Sequence, residues 1–289
     1  MRIGAIFPHH EFGPDPRAVR EYARAAEGLG LAHIGADDHV IGPNPVRPEG
    51  YAGWTNHRLP FHEPFVLFGF LAGITRRIEF STCVLILSQR QTVLAAKQAA
   101  EVDILSEGRL RLGIGIGWNE YEYISLGAPF SQRGRRVDEQ IRVLRQLWSQ
   151  ELVDFQGEFH HIPDAGLNPR PPQRPIPIWI GGQSQAAIRR AARLGDGWMP
   201  LYKDPLEARA GLEQLDSLLK EAGRSREGFG LEARIPYGRG DAGVWCELLA
   251  RWGELGASHA SLVTTGFGLD GPKAHITALS SFMGGISAG

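Results

Sequence analysis

The chain has 289 residues, 43% of them hydrophobic, with 31 Lys and Arg against 32 Asp and Glu. That length supports a large core, of the size an α/β barrel reaches as one domain, and a formal charge of −1 gives no sign of a nucleic-acid partner or a basic membrane-binding face. Two cysteines, Cys83 and Cys246, make no disulfide framework, and the apolar run Met1 to Phe7 stops at Pro8, too short for a signal peptide or a spanning helix, so a reduced cytoplasmic protein is expected.

Strand-like and helix-like stretches alternate from the start. Ile3 to Phe7 reads as a strand. Pro16 to Leu29 reads as a helix, because Val19, Tyr22, Ala23, Ala26 and Leu29 recur at helical spacing and Gly30 supplies a stop. Ala32 to Ala36 is a second strand and Ile78 to Leu87 a third, free of charge after Glu79. Thr92 to Leu105 is a helix closed by Glu107-Gly108. Leu110 to Ile116 is a strand that ends in glycines, Gly113, Gly115 and Gly117, and so brings bare backbone against something flat or bulky. A polar, aromatic turn follows it. Gly134 to Trp148 is an amphipathic helix with Val137, Ile141, Leu144 and Trp148 on one side.

The second half repeats the alternation. Ile176 to Ile180, Asp196 to Leu201, Phe229 to Ile235 and His259 to Val263 read as strands. Ser184 to Leu194, Pro205 to Ala222, Val244 to Trp252 and Pro272 to Phe282 read as helices, with Leu212, Leu215 and Leu219 facing inward. Alternating βα units make parallel sheets, and roughly eight of them point to a TIM-type (β/α)8 barrel, with a doubly wound open sheet as the alternative.

Two insertions interrupt a single barrel domain over 1–289, one after the second strand and one before the fifth. Residues 38–64 hold Pro43, Pro45, Pro48, Pro60 and Pro64 with Tyr51, Trp54, His57, Phe61 and His62 between them. So long and aromatic a loop on the catalytic face is expected to be a substrate lid. Residues 151–175 read as a hairpin, Leu152 to Phe159, followed by a proline-rich stretch with Pro169, Pro171, Pro172 and Pro175.

Strand ends carry the candidate chemistry. Gly181, Gly182, Gln183 and Ser184 close one strand and open a helix with Ser184 as cap; free N–H groups and the helix dipole there suit a phosphate, unless this is a plain βα turn. Asp37-Asp38-His39 ends the second strand, where a histidine can move a proton and a neighbouring carboxylate can fix its tautomer. Cys83, in Ser81-Thr82-Cys83-Val84, has no basic neighbour in sequence and reads as a small buried residue rather than a nucleophile. No metal is expected: His9-His10 and His160-His161 lack ligand spacing and HExxH is missing. The triple-glycine strand fails as a dinucleotide fingerprint because the third required glycine falls on Trp118.

Taken together, several runs resemble the luciferase-like monooxygenase superfamily, and within it the oxidoreductases that use the deazaflavin coenzyme F420. They are Asp38-His39, Thr82-Cys83-Val84-Leu85, Ala95 through Leu110, Leu112-Gly-Ile-Gly-Ile-Gly-Trp-Asn-Glu-Tyr-Glu122, Gly127 with Phe130, Arg133 through Glu139, Gly157-Glu-Phe159, Pro177 through Ser184 and Asp196-Gly-Trp198. The resemblance implies a TIM-type barrel with the cofactor across its C-terminal face. It implies a bulge in the third strand with a cis peptide at Cys83–Val84, so that Thr82, Cys83 and Val84 back the ring. Gly117, Trp118, Asn119 and Tyr121 would edge the ring or its side chain, and Gly181, Gly182, Gln183 and Ser184 would hold the phosphate. Asp38 and His39 match the pair beside the reactive ring. Sugar-phosphate dehydrogenases of the family have an acidic proton donor where this chain has Trp118, which implies another substrate.

The implied function is hydride transfer between F420 and a small organic substrate, with His39 moving the proton and Asp38 orienting it. The alternatives are an FMN-dependent monooxygenase fed by a separate reductase, and a cofactor-binding barrel without turnover. A homodimer is expected by resemblance. Arg133, Arg135 and Arg136 read either as a solvated helix start or as contacts to an acidic cofactor tail.

Overall fold

In the computed structural model, which describes residues 1–48 and 50–288, the predicted strands join into one ring. The ring strands are β1 (Arg2–Ile6), β2 (His33–Ala36), β3 (Glu79–Thr82), β4 (Leu85–Ile86), β5 (Leu110–Gly115), β8 (Ile178–Gly181), β9 (Gly197–Met199), β10 (Gly230–Pro236) and β11 (His259–Val263), and β6 (Val153–Gln156) and β7 (His161–Ala165) form a separate antiparallel hairpin. All pairings in the ring are parallel: β2 with β1, β1 with β11, and on through β10, β9, β8 and β5, which closes on β3 and so on β2. β3 and β4 are two pieces of one stave, interrupted at a cis Cys83–Val84 peptide. Among the described residues that makes eight staves, the closed parallel barrel expected from the alternation. Glu49, inside the expected lid, and Gly289, at the end of the expected domain, lie outside the described residues.

The helices are α1 (His9–Phe12), α2 (Pro16–Gly28), α3 (Pro64–Ala72), α4 (Thr92–Leu105), α5 (Glu120–Ser125), α6 (Arg133–Ser149), α7 (Gln185–Leu194), α8 (Pro205–Glu221), α9 (Ala242–Glu254) and α10 (Gly271–Ala288). Local signals set their ends. Asp15 accepts from the Arg17 N–H at 2.9 Å ahead of Pro16, and Asp204 caps α8 in the same way ahead of Pro205. The inward faces are those read from spacing: Val19, Tyr22 and Ala23, then Val137, Ile141, Leu144 and Trp148, are buried, and the Trp148 indole donates to Ala96 O at 3.0 Å. α3 was not predicted. Its sequence, PFVLFGFLA, is apolar on every side and shows no helical stripe, although Pro64 and the Glu63 cap mark its start.

Inside the barrel, alternate residues form layers. The lower layer is polar: His33, Arg111, Glu232 and Ser261, sealed by Trp179. Above it lies a small apolar layer of Ile6, Cys83 and Met199, with Val84 packed on it. The candidate site opens above that. The hairpin is present but shifted from its expected place: β6 and β7 flank a turn at 157–160, and β7 runs on to Ala165.

Candidate active site

The bulge after β3 shapes the floor of the site. Val84 projects from it over β5 and β8, and a Cβ placed on Gly115 or Gly181 would lie 2.4 or 2.5 Å from a Val84 methyl. The expectation that the β5 glycines face a flat ligand is therefore corrected in part: they admit the bulge first, because a side chain there would collide with Val84 or, at Gly117, with Ile86. The site floor is then Val84 itself, with Gly115, Gly117 and Gly181 at its edges. Arg234 of β10 donates to Cys83 O at 2.7 Å and so grips the bulge from below. Cys83 is buried, and burial pushes its thiol well above the ordinary range, which fits a packing residue rather than a nucleophile.

A cavity of about 430 Å³ stands on this floor. Its walls carry Asp37 and His39 from the end of β2, Trp54 from the long loop after β2 (the expected lid), Trp118 after β5, and Gly181, Gly182, Ser184 and Arg190 around the start of α7. Ser184 accepts from the Ala187 N–H at 3.2 Å as the helix cap, and Gly182 has φ 103°, a turn only glycine makes without strain. The Trp198 indole donates to Gly182 O at 2.7 Å and fixes that turn. Arg190 is held by Asp138 and by Gly134 O.

His39 occupies the rim between this cavity and the lid. Its ring meets Phe61 at 4.8 Å, Trp54 at 5.4 Å and Trp118 at 6.2 Å, all edge-on. His39 Nδ1 lies 3.1 Å from Oε2 of Glu122, on α5. Asp38, expected to orient His39, instead accepts from Ile86 N–H at 2.9 Å and from the Arg90 guanidinium at 2.7 Å. The correction follows from chain geometry, since neighbouring residues leaving a strand point to opposite sides. Arg90 also donates to Glu63 at 2.8 Å, so one guanidinium ties down both feet of the lid.

Asp37, the third residue of the expected triplet, faces the cavity 3.7 Å from Arg234; burial pushes its carboxyl up, against the pull of Arg234. Behind the lid, His9, His10 and His62 pack around Phe61 and Trp54. Burial, with help from His62, lowers the His9 pKa to about 3, and burial lowers those of His10 and His62 too.

Four expected contact residues do not line the cavity. Thr82 donates to Gly113 O at 2.6 Å and stitches β3 to β5 beneath the bulge. Asn119 is buried and caps α5 through the Tyr121 N–H. Tyr121 turns toward the lid, where Tyr51 and the Arg47 guanidinium pack on it. Gln183 is exposed beside the α7 turn. Arg133, Arg135 and Arg136 are also elsewhere, on Phe130, Glu158 and Arg90 O respectively. Glu122, Arg90 and Arg234 were missed in sequence. Arg234 left a visible trace: with Glu232 it puts two charges on one face of an otherwise apolar strand.

A family model described as luciferase-like monooxygenase matches residues 1–277. An uncharacterized protein of Mycobacterium tuberculosis is 39% identical over 210 residues, 70% of this chain and 72% of that protein. An F420-dependent glucose-6-phosphate dehydrogenase of Amycolatopsis mediterranei is 30% identical over 253 residues, 83% of this chain and 70% of the relative. In fold, the chain is similar to the solved structure of an F420-dependent secondary alcohol dehydrogenase in complex with an F420-acetone adduct: TM-score 0.82 at 17% identity, over 99% of this chain and 98% of that one. With the bulged third stave and a match over nearly the whole barrel, the chain belongs to the luciferase-like monooxygenase family.

Proposed function

We propose that the protein is an F420-dependent oxidoreductase that moves a hydride to or from a small organic substrate, with His39 carrying the accompanying proton. The observation behind this reading is the place of His39: on the rim of a cavity floored by Val84, under two tryptophans, with one ring nitrogen held by Glu122. The residues present suit a flat ring with an anionic extension. Val84 gives an apolar platform, Gly115 and Gly181 leave it unobstructed, and the start of α7 offers backbone N–H groups for a phosphate. A deazaflavin bound there supplies the hydride chemistry. Trp54 and Trp118 stand exposed beside His39 at the cavity's opening, and Trp118 in place of an acid argues against a sugar phosphate as substrate.

Two measurements test this. Tryptophan quenching and calorimetry should give tighter binding of F420 than of FMN. In His39→Ala, F420 binding should be kept while oxidation of reduced F420 by a panel of small carbonyl compounds falls by about 10²–10⁴-fold. Unchanged turnover in that variant sinks the assignment. The family description favours a second reading, an FMN monooxygenase; tight FMN binding with oxygen uptake by the reduced flavin would establish it instead.

A further inference from the structure

We propose that Glu122 is a positioning residue that couples the seating of the lid to proton transfer at His39, an inference that rests on His39 being the proton carrier. The carboxylate of Glu122 is 2% exposed and serves three groups at once, the His39 ring and the Val40 and Ile41 amides, the last at 3.5 Å. Oε2 faces His39 Nδ1 at 3.1 Å, and Oε1 accepts from the Val40 N–H at 2.8 Å. A carboxylate only accepts, so Nδ1 carries a hydrogen and Nε2 is the nitrogen left to exchange the proton. Among the described residues no other hydrogen-bonding partner holds this ring.

Val40 is the point where the chain leaves the barrel for the lid. Asp38, just before it, is fixed by Arg90 and Ile86 N–H, and Glu63, at the far end, by the same Arg90. The feet are therefore rigid, and the first free step of the lid is held by Glu122. Trp54 and Phe61, farther along the lid, rest against His39. If the root lifts, the Val40 amide and the imidazole lose their acceptor together. Glu122 is held from following by its neighbour Tyr123, fully buried, whose hydroxyl donates to Ile116 O at 2.5 Å and meets the Ser88 hydroxyl. The other charged or titratable groups near the ring are Asp37 from β2 and His9 and His10 from α1. They make no hydrogen bond to it, so the tautomer is set by Glu122.

The test uses the full chain with ¹⁵N-labelled histidine. In the parent, the His39 signals should be those of the Nδ1–H tautomer; in Glu122→Ala they should move toward the Nε2–H form, and trypsin should cut after Arg58, within the same loop, faster. With reduced F420 and the best small carbonyl acceptor, kcat in Glu122→Ala should fall by about 10- to 100-fold, part of what acid–base catalysis contributes, with KM within about threefold. In a His39→Ala background the same change should cost less than about twofold, because the two residues act as one unit. Should Glu122→Ala not fold, Glu122→Gln keeps an acceptor for Val40 and loses the charge: it should protect the lid from trypsin yet still shift the tautomer. A parental tautomer and parental kcat in the Glu122 variants, with His39→Ala impaired, overturns the coupling. An unimpaired His39→Ala overturns the underlying reading instead, and the tautomer shift shows separately whether Glu122 holds the ring.

Discussion

The barrel contains two polar clusters built from the same residue types, one low in its interior and one at its mouth, and they are wired differently. In the lower cluster Glu232 takes a hydrogen bond from Ser261 at 2.6 Å and pairs with Arg111 at 2.7 Å, and His33 meets Ser261 at 2.8 Å. Trp179 covers it, with the Arg111 guanidinium 4.1 Å above its ring, and a Cβ at Gly230 would lie only 1.9 Å from that indole. Burial alone would raise the Glu232 carboxyl; Arg111, His33 and Ser261 outweigh it and hold it well below the usual carboxylate range. At the mouth, His39 has one polar partner, Glu122, Asp37 has one, Arg234, and Arg234 has two, Asp37 and Cys83 O, and all three turn another side to a cavity. Residue type therefore does not separate structural from chemical groups in this barrel. What separates them is whether every side faces protein, which matches the division of labour between the two ends of such barrels.

The largest effect expected from this division is on stability, in the lower cluster. Arg111→Ala leaves Glu232 buried without its cation and should cost about 3–5 kcal/mol, read by urea unfolding. The folded fraction should bind F420 as the parent does, since Arg111 lies a full layer below the cavity. Replacing both partners, Arg111→Met with Glu232→Gln, should recover much of the loss. A cost under about 1 kcal/mol for Arg111→Ala would place this pair with ordinary surface ion pairs and break the contrast.

Groups of opposite titration sense occur in the barrel, and burial lowers His33 and His259 at the lower end as it lowers His9 at the mouth. Burial holds the His9 pKa at about 3, against about 6.5 for a free histidine. As pH falls, the unfolded chain binds a proton here before the folded one does. The stability tied to neutral His9 is thus fully present above about pH 6.5 and lost on the way down to about 3, at close to 1.4 kcal/mol per pH unit. From pH 7 to pH 5 that is about 2 kcal/mol. Glu232 has the opposite character: its depressed carboxyl stabilises above about pH 4.3 and that contribution fades only below it. Urea unfolding across about pH 2 to 8 separates them. His9→Asn, which keeps an acceptor for the His62 N–H, should reduce the slope between about pH 5 and 7 by one histidine's share and leave the acid limb in place, while His259, also lowered to about 3, keeps its own share of the slope.

How much of this was legible in sequence follows the same division. The staves and the amphipathic helices α2, α6 and α8 could be read because their burial is one-sided and periodic. α3 could not, being apolar all round, and α5 is too short to show a period. In the site, His39, Trp118, Gly181, Gly182 and Ser184 sit at strand ends in recognisable runs and line the cavity. Glu122 sits one helical turn after Trp118, in a stretch read as a turn, and its partners are 82 and 83 residues away in sequence. Asp38 is visible in sequence but its partner is not: adjacency suggests His39, whereas the backbone sends the two side chains apart and Arg90 comes from another stave's loop.

Ser184 tests the finest version of the contrast, an exposed residue at the mouth whose hydroxyl nonetheless faces inward. Its hydroxyl is already engaged with the Ala187 N–H, so it belongs with the structural groups even though it lines the cavity. Ser184→Ala should cost about 1 kcal/mol in a thermal or urea melt, and Ser184→Gly only a few tenths. F420 affinity should change by less than about fivefold in both, because the backbone N–H groups at the start of α7, which stay in place, are the phosphate donors. If the melt does not move while F420 binding weakens tenfold or more, a loss near 1.4 kcal/mol, the hydroxyl is spent on the ligand, and facing inward in the free protein would no longer mark a structural group at this end of the barrel.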